Sequence, residues 1–251
     1  MGTYRFAGRD GVELAWTEIG AGRTLVFLPG FGGAGSRLLE YDPVLTLAEH
    51  GYRVVVPDSR GCGSSGKPDG PSGYPSDVLA DDGFALIEHL GLGDRDYDLA
   101  GYSLGARIVV RMLARGAQPG HAIVAGQGLA KVTGPQQSGT NHRVLTALAR
   151  GVAIEPGSTD ARIAEALSRG GTEPRTLLYL LNSLVSTPEA ALAQIAVPTR
   201  VAIGDRDERS EADQLASLLQ NGRYVSVPGD HGSALVSPEL ANAIVEFLAA
   251  R

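Results

Sequence analysis

The chain contains 251 residues, of which 43% are hydrophobic and 20% are charged, and this size suits one large α/β domain or two small ones. A formal net charge of −6 argues against a nucleic-acid-binding surface. The single cysteine, Cys62, excludes an intramolecular disulfide and argues against a cysteine-based zinc site.

The ends and the charge pattern carry no sign of a membrane or nucleic-acid partner. The first residues lack the apolar segment of a secretory signal, and no apolar run reaches the ~18 residues that a membrane-spanning helix requires. The basic residues, which are almost all arginines, form no cluster along the chain. We therefore expect a soluble, cytoplasmic protein with a small molecule as its partner.

Strand-like and helix-like segments alternate along the chain. The first two strand-like segments, 3–6 and 12–17, flank Asp10-Gly11, a strong hairpin-turn signal, and so predict an antiparallel pair. Later segments are apolar on both faces, as in the central strands of a parallel sheet, at residues 25–28, 53–56, 97–100, 122–125, 200–203 and 224–227. Amphipathic helical segments lie at residues 37–50, 75–90, 103–115, 210–220 and 238–250. This alternation predicts an α/β fold with a doubly wound, mostly parallel sheet and an N-terminal antiparallel hairpin.

Residues from about 129 to 193 interrupt this alternation. They contain a turn-rich stretch, no convincing strand, and short helical segments separated by glycine and proline, at residues 145–149, 161–167 and 175–184. We predict a single domain over residues 1–251 with a helical cap insertion at about 129–193, placed over the sheet edge. The alternative is an ordinary crossover with additional helices.

The sequence GYSLG at residues 101–105 is a G-x-S-x-G pentapeptide between a predicted strand and a predicted helix. This context is the one in which the motif forms a sharp turn that exposes a nucleophilic serine. Side chains at Gly101 and Gly105 would collide with their neighbours in such a turn, so glycine fits both positions. The motif predicts Ser103 as the nucleophile, with the first free amides of the helix facing the group that it attacks.

An activated serine needs a base, and the base needs an acid that orients it. His231 is the histidine that follows both candidate acids, Asp205 and Asp207, and it lies in a loop between a predicted strand and the last predicted helix. The chain order Ser, Asp, His fits this architecture. The earlier strand end, residues 126–128, reads GQG and offers no carboxylate. The spacing predicts His231 as the base and leaves both aspartates open as the acid.

The chain resembles the α/β-hydrolase fold superfamily, in particular its small single-domain serine esterase-like group, along nearly its full length. Besides the elbow at 101–105, four features carry the resemblance: PGFGG at 29–33, DSRGCGSS at 58–65, an aspartate three residues after Gly204, and a G-x-H motif at 229–231.

The resemblance implies roles for particular residues. In this family the acid usually stands three residues after the glycine that corresponds to Gly204, which favours Asp207. Its oxyanion hole uses the amide of the residue after the serine and an amide from the first strand's loop, which here are those of Leu104 and Phe31. The family commonly has His-Gly in that loop, whereas this chain has Pro29-Gly30. Proline has no amide hydrogen, but the expected donor is Phe31, so the oxyanion hole can be retained.

These observations predict a serine hydrolase that cleaves small to medium carboxylic esters through an acyl-enzyme, without a metal or organic cofactor. Several alternatives keep the fold. The elbow extended to Arg107 also resembles that of small cofactorless lyases of menaquinone synthesis. A C–C bond hydrolase or an enol-lactone hydrolase is another alternative, and a non-enzymatic small-molecule receptor could retain the same residues.

The residues that flank the serine or end a neighbouring strand are expected to line the substrate pocket. They are Phe31, Tyr102, Leu104 and Gln127, and His142 of the insertion is a further candidate contact. The leucines of the insertion suit an apolar acyl or alcohol group, although most are expected simply to pack the insertion onto the sheet.

Overall fold

The computed structural model describes residues 2–135, 139–209 and 211–250. Eight strands form its sheet: β1 (Thr3–Ala7), β2 (Glu13–Ile19), β3 (Arg23–Leu28), β4 (Tyr52–Pro57), β5 (Tyr97–Tyr102), β6 (Ala122–Ala125), β7 (Thr199–Gly204) and β8 (Gly222–Val227). Their spatial order is β1-β2-β4-β3-β5-β6-β7-β8. In this order β4 lies between β2 and β3. The strand that leads to Ser103, β5, is near the middle of the sheet.

The two ends of the sheet differ in strand direction. β1 pairs antiparallel with β2, and β2 pairs antiparallel with β4, whereas every later pair is parallel. The turn between β1 and β2 is closed by a 2.8 Å hydrogen bond from the Gly8 amide to the Val12 carbonyl. Gly11 in this turn has a φ of 81°, which favours glycine. The predicted fold class, a mostly parallel sheet with an antiparallel N-terminal hairpin, is confirmed.

Helices fill the connections between the strands. They are α1 (Gly35–Leu38), α2 (Asp42–Glu49), α3 (Val78–His89), α4 (Leu104–Ala114), α5 (Leu129–Thr133), α6 (Thr140–Ala149), α7 (Thr159–Ser168), α8 (Pro174–Ser183), α9 (Glu189–Leu192), α10 (Ala212–Leu218) and α11 (Pro238–Ala249). The segment 37–50, predicted as one helix, is interrupted at Tyr41, which has extended backbone angles. Pro43 explains the break, because proline cannot donate to the preceding helical turn and its ring would clash there.

Both faces of the sheet are covered, as a parallel sheet requires. Alternate residues of the strands point to opposite sides, so Leu99 packs into one buried cluster and Ala100 into the other. The first cluster includes side chains of α3, α4, α8 and α10, and the second includes side chains of α2 and α11. Within the described part of the chain, no helix is long and apolar enough to cross a membrane.

Helices α5 to α9 occupy the connection between β6 and β7, and we call them the crossover helices. Three of their leucines, Leu145, Leu177 and Leu181, are buried in the same cluster as Val109 of α4. These leucines therefore attach the crossover helices to the body of the protein, as expected for most of them. The assignment of residues 1–251 to a single domain with a cap insertion at 129–193 stays a prediction.

Candidate active site

Four polar residues follow four neighbouring strands at one edge of the sheet. β5, β6, β7 and β8 are adjacent and parallel, so their carboxyl ends meet at the same edge. Ser103 follows β5, Gln127 follows β6, Asp207 follows β7 and His231 follows β8. A doubly wound sheet places its ligand sites at this edge, beyond the carboxyl ends of the strands.

Ser103 occupies the strained turn between β5 and α4. Its backbone angles, φ 55° and ψ −116°, lie where non-glycine residues are rarely found. A Cβ atom on Gly105 would overlap the Leu28 carbonyl, and one on Gly101 would overlap the Gly105 backbone. The Ser103 amide donates to the Ala125 carbonyl at 2.8 Å, which ties the turn to β6. Glycines at 101 and 105 thus let the chain turn tightly enough to expose the Ser103 hydroxyl.

A continuous chain of hydrogen bonds joins Ser103, His231 and Asp207. The Ser103 Oγ atom lies 2.9 Å from His231 Nε2, and His231 Nδ1 lies 2.7 Å from Asp207 Oδ2. An ionised carboxylate can only accept, so Nδ1 carries the proton that it donates to Asp207. Nε2 of the neutral ring is then the acceptor for the serine hydroxyl. The arrangement is that of a nucleophile, a general base and an orienting acid.

Asp207 is held in its ionised form. Its side chain has no exposed surface. Burial alone would raise the pKa of Asp207, but the hydrogen bond from His231, the Arg209 amide and the two neighbouring positive charges outweigh it and hold the pKa at about 2. The Arg209 amide donates to Oδ1 at 3.0 Å, and its guanidinium lies 3.2 Å from the same oxygen. No sequence pattern indicates this role of Arg209, which depends on the fold of the loop after β7.

The second candidate acid, Asp205, has different partners. Its Oδ1 atom accepts from the Gly229 amide at 2.8 Å, which ties the end of β7 to the loop that carries His231. Asp230, next to His231, turns towards its own loop, where Oδ1 accepts from the Gly232 and Ser233 amides. Asp207 is therefore the aspartate whose carboxylate meets the imidazole.

The residues predicted to line the pocket lie in different environments. Tyr102 is buried and absent from the cleft beside Ser103; its hydroxyl instead donates to the His231 carbonyl at 2.6 Å and so supports the histidine loop. The prediction for Tyr102 fails because residues alternate along β5 and Tyr102 points into the core.

Gln127 lines the cleft and donates through Nε2 to the Ser103 carbonyl at 2.8 Å. His142 also lines it, with Nε2 at 3.1 Å from Asn182 Oδ1.

The two amides proposed for the oxyanion hole flank the serine. Leu104 is the first residue of α4, where a helix has no internal partner for its amide. Phe31 follows β3 in the neighbouring loop, and a Cβ atom on its neighbour Gly30 would lie 3.5 Å from the Ser103 Cβ atom. Among the described residues, neither the Phe31 nor the Leu104 amide has a hydrogen-bond partner.

Two clefts meet at Phe31. The first, with a volume of about 430 Å³, opens beside Ser103, and we call it the serine cleft. It is bounded by Phe31, Leu104, Gln127 and crossover residues such as His142. The second, of about 250 Å³, lies on the other side of Phe31 against α1 and α8. In the described ranges, no group of three or more His, Cys, Asp or Glu side chains is arranged to hold a metal ion.

The chain belongs to the alpha/beta hydrolase family, which it matches over residues 25–244. A 115-residue segment, 46% of this chain and 40% of the relative, is 36% identical to the AB hydrolase superfamily protein YisY of Bacillus subtilis strain 168. A segment of 107 residues, 42% of this chain and 36% of the relative, is 36% identical to a non-heme haloperoxidase of Rhodococcus erythropolis. These matches thus span less than half the length of both curated relatives.

Solved structures resemble the fold over nearly its whole length. An esterase from Rhodococcus sp. ECU1013 superposes with a TM-score of 0.74 at 22% identity, covering 100% of this chain and 99% of that one. An enol-lactonase from Burkholderia xenovorans LB400 superposes with a TM-score of 0.72 at 22% identity, covering 98% and 99% of the two chains. At this level of identity the similarity is one of fold.

Proposed function

We propose that this protein is a serine hydrolase that cleaves carboxylic esters of small to medium size through an acyl-enzyme. The observation that carries the proposal is the hydrogen-bond chain Ser103–His231–Asp207, with distances of 2.9 and 2.7 Å, at a strained turn that exposes the serine. Membership of the alpha/beta hydrolase family supports a small-molecule substrate. The cytoplasmic location expected from the sequence stays a prediction.

The reaction follows from the geometry. His231 Nε2 takes the proton of the Ser103 hydroxyl as the oxygen attacks the ester carbonyl carbon. Asp207 holds the ring in the required tautomer and stabilises the imidazolium that forms. The imidazolium then protonates the leaving alcohol, and the C–O bond to it breaks. A water molecule, deprotonated by His231, attacks the acyl-enzyme and releases the carboxylic acid and the free serine.

Two further features favour an ester. The unpartnered amides of Phe31 and Leu104 would stabilise the oxyanion of the tetrahedral intermediate, and each such donor is typically worth about 3 kcal/mol of transition-state stabilisation. An ester also carries a substituent on each side of the reacting carbonyl. The two clefts that share Phe31 offer separate space for the acyl and the alcohol groups.

The test is hydrolysis of a 4-nitrophenyl ester series from acetate to decanoate. We expect wild-type activity with an optimum at short to medium chain length, and a loss of at least about 10³-fold in kcat for Ser103→Ala. Ser217→Ala, which removes a hydroxyl bound to the Asp213 carbonyl on exposed α10, is the matched control and should keep full activity. A folded wild type that hydrolyses none of the esters would contradict the proposal and favour the lyase or receptor alternative.

A further inference from the structure

The serine cleft has a charge opposite to that of the protein as a whole. The protein carries a formal net charge of −6. Among the described residues that line the cleft, three are cationic, Arg107, Lys131 and Arg209, whereas Glu208 is the only carboxylate. The cations come from three separate elements, α4, α5 and the loop after β7, so they surround the cleft rather than form a solvated stripe on one helix.

Arg107 is the most unusual of the three. Its side chain is 3% exposed, and no carboxylate in the described part of the chain lies within ion-pair distance. The guanidinium instead donates to main-chain carbonyls of the crossover segment, those of Lys131, Gly134 and Val185, and its Nε atom is buried without a hydrogen-bond partner. Neutral carbonyls solvate a guanidinium but leave its charge uncompensated.

The position of Arg107 directs this charge towards the reaction centre. Arg107 lies one helical turn after Ser103, and its amide donates to the Ser103 carbonyl at 3.2 Å. Side chains four residues apart share a helix face, and a helical side chain points back towards the N-terminus of its helix, which here is the Ser103 end. A buried charge is poorly screened by salt and by water. Arg107 therefore makes the serine cleft favourable for an anion.

Arg209 adds to this effect from the loop after β7. One guanidinium nitrogen, Nη1, lies 3.2 Å from Asp207, so part of its charge is offset by that carboxylate. The side chain is 28% exposed, and it lines the cleft together with Lys131. The set as a whole offers guanidinium and ammonium donors, which are the groups that recognise carboxylates.

We infer that the serine cleft selects esters or lactones that carry, besides the reacting ester group, a carboxylate that does not react. The inference rests on the proposed function and specifies its substrate class. Hydrolysis of such an ester with the carboxylate in its acyl part releases an alcohol and a dicarboxylate, and hydrolysis of such a lactone gives a hydroxy-dicarboxylate. This differs from the apolar acyl or alcohol group that the leucines of the crossover helices suggest in the sequence.

The first experiment compares two substrates of equal length that differ in one charge. They are mono-4-nitrophenyl adipate, which ends in a carboxylate, and 4-nitrophenyl 5-carbamoylpentanoate, which ends in a neutral amide. After correction for uncatalysed hydrolysis, we expect kcat/KM to be about tenfold higher for the anionic ester at low salt, the effect of one poorly screened charge. Equal values, or a preference for the amide, would overturn the inference while leaving the esterase proposal intact.

Three cleft variants and two controls test which cations are responsible. Arg107→Gln should lower the anion-to-amide ratio of kcat/KM about 3- to 10-fold, Lys131→Gln should lower it about 2-fold, and Arg107→Lys should retain most of it because the charge is kept. A merely structural role for Arg107 would not change this ratio. Arg111→Gln, on the same helix but paired with Asp77, and Lys67→Gln, on an exposed loop, are the controls and should leave the ratio unchanged.

Two further outcomes keep the test decisive. Lys131 is exposed, so Lys131→Gln remains informative if Arg107→Gln fails to fold. An unchanged ratio in every folded cleft variant would overturn the inference. If the wild type hydrolyses neither ester, binding of adipate and of adipamide to Ser103→Ala protein is measured by calorimetry. Tighter binding of adipate would then support the cation-lined cleft although the esterase proposal had failed, and equal binding would overturn the inference as well.

Discussion

Among the residues that the structure describes, two arginines are almost completely buried, and their surroundings are opposite. Arg60, whose side chain has no exposed surface, donates to both carboxylate oxygens of Asp82 at 2.6 and 2.9 Å and to both of Asp10 at 2.6 and 2.8 Å. Arg107 meets only main-chain carbonyls among the described residues. The positive charge of Arg60 is therefore fully compensated near the N-terminal hairpin, whereas the charge of Arg107, beside the serine cleft, is not compensated by a described carboxylate.

The pKa values of the two guanidinium groups move in opposite directions. Burial alone would lower the pKa of Arg60, but its hydrogen bonds and charge interactions with Asp82 and Asp10 raise it above the usual value. For Arg107 burial acts without opposition and lowers the pKa to about 10, so the group is still charged at neutral pH. The same residue type is thus compensated by carboxylates in one region and left without a described counter-charge beside the serine cleft in another.

The largest expected effect concerns a third arginine, Arg209, and its carboxylate partner Asp207. Here the pairing serves the reaction, because the same carboxylate orients His231. Asp207→Asn should lower kcat by about 10³- to 10⁴-fold, since the amide no longer fixes the required tautomer. Asp205→Asn is the matched control and should stay within about threefold of wild type, because Asp205 contacts the loop and not the imidazole. Equal losses in ester hydrolysis by the two variants would contradict this assignment.

Removal of the compensated arginine should have the next largest effect. Arg60→Met leaves Asp82 and Asp10 without their cation, and breaking a buried pair from one side typically costs about 3–5 kcal/mol. Urea unfolding monitored by circular dichroism measures the change. Arg53→Met breaks the more exposed pair with Glu18 and should cost less than about 1 kcal/mol. If Arg60→Met lowers the free energy of unfolding no more than Arg53→Met does, the contrast drawn between Arg60 and Arg107 has no basis.

Acid titration should distinguish the Asp207 carboxylate from an ordinary one. The pKa of Asp207 in the folded protein, about 2, lies below the usual aspartate value of 3.8. The ionised carboxylate therefore stabilises the fold fully above the unfolded pKa, and this contribution, about 2 kcal/mol, is lost as the pH falls from about 4 to about 2. The difference in unfolding free energy between wild type and Asp207→Asn should shrink over that interval. A difference that stays constant from pH 6 to pH 3 would contradict the low pKa.

Removal of the uncompensated arginine should have the smallest effect on stability. Arg107→Met removes donors from three carbonyls, which costs about 1–2 kcal/mol, but it leaves no carboxylate unpaired and removes a buried charge. Urea unfolding beside Arg60→Met provides the comparison. If the Arg107→Met protein is destabilised as strongly as the Arg60→Met protein, Arg107 has a counter-charge and the contrast between the two arginines fails.

Much of the fold follows from local sequence patterns. Short apolar runs predict the parallel strands, as at β6, where the predicted and observed limits, Ala122–Ala125, coincide. The hairpin follows from its Asp-Gly turn. The helix predicted at 37–50 is two helices, because the apolar periodicity continues across Tyr41 whereas Pro43 has no amide hydrogen to donate to a preceding helical turn. Helices α5 and α9, of five and four residues, are too short for a periodic pattern to reveal.

Only the part of the candidate site that is marked by motifs and chain order could be predicted from the sequence. They predict Ser103, His231 and Asp207, and in the structure His231 lies within hydrogen-bond distance of both Ser103 and Asp207. The cationic lining of the serine cleft has no such signal, because Arg107 and Arg209 lie far apart in the sequence and line the same cleft only in the folded chain. The apolar character of the crossover helices is likewise misleading, since their most buried leucines face the core.

The most direct test of the central claim is intact-protein mass spectrometry after treatment with a fluorophosphonate, which reacts with activated serines. The account predicts a single phosphonyl adduct on the wild-type protein, mapped to Ser103 by peptide sequencing and abolished in both Ser103→Ala and His231→Ala. Absence of an adduct on folded wild-type protein, or an adduct that persists in Ser103→Ala, would show that Ser103 is not the activated nucleophile.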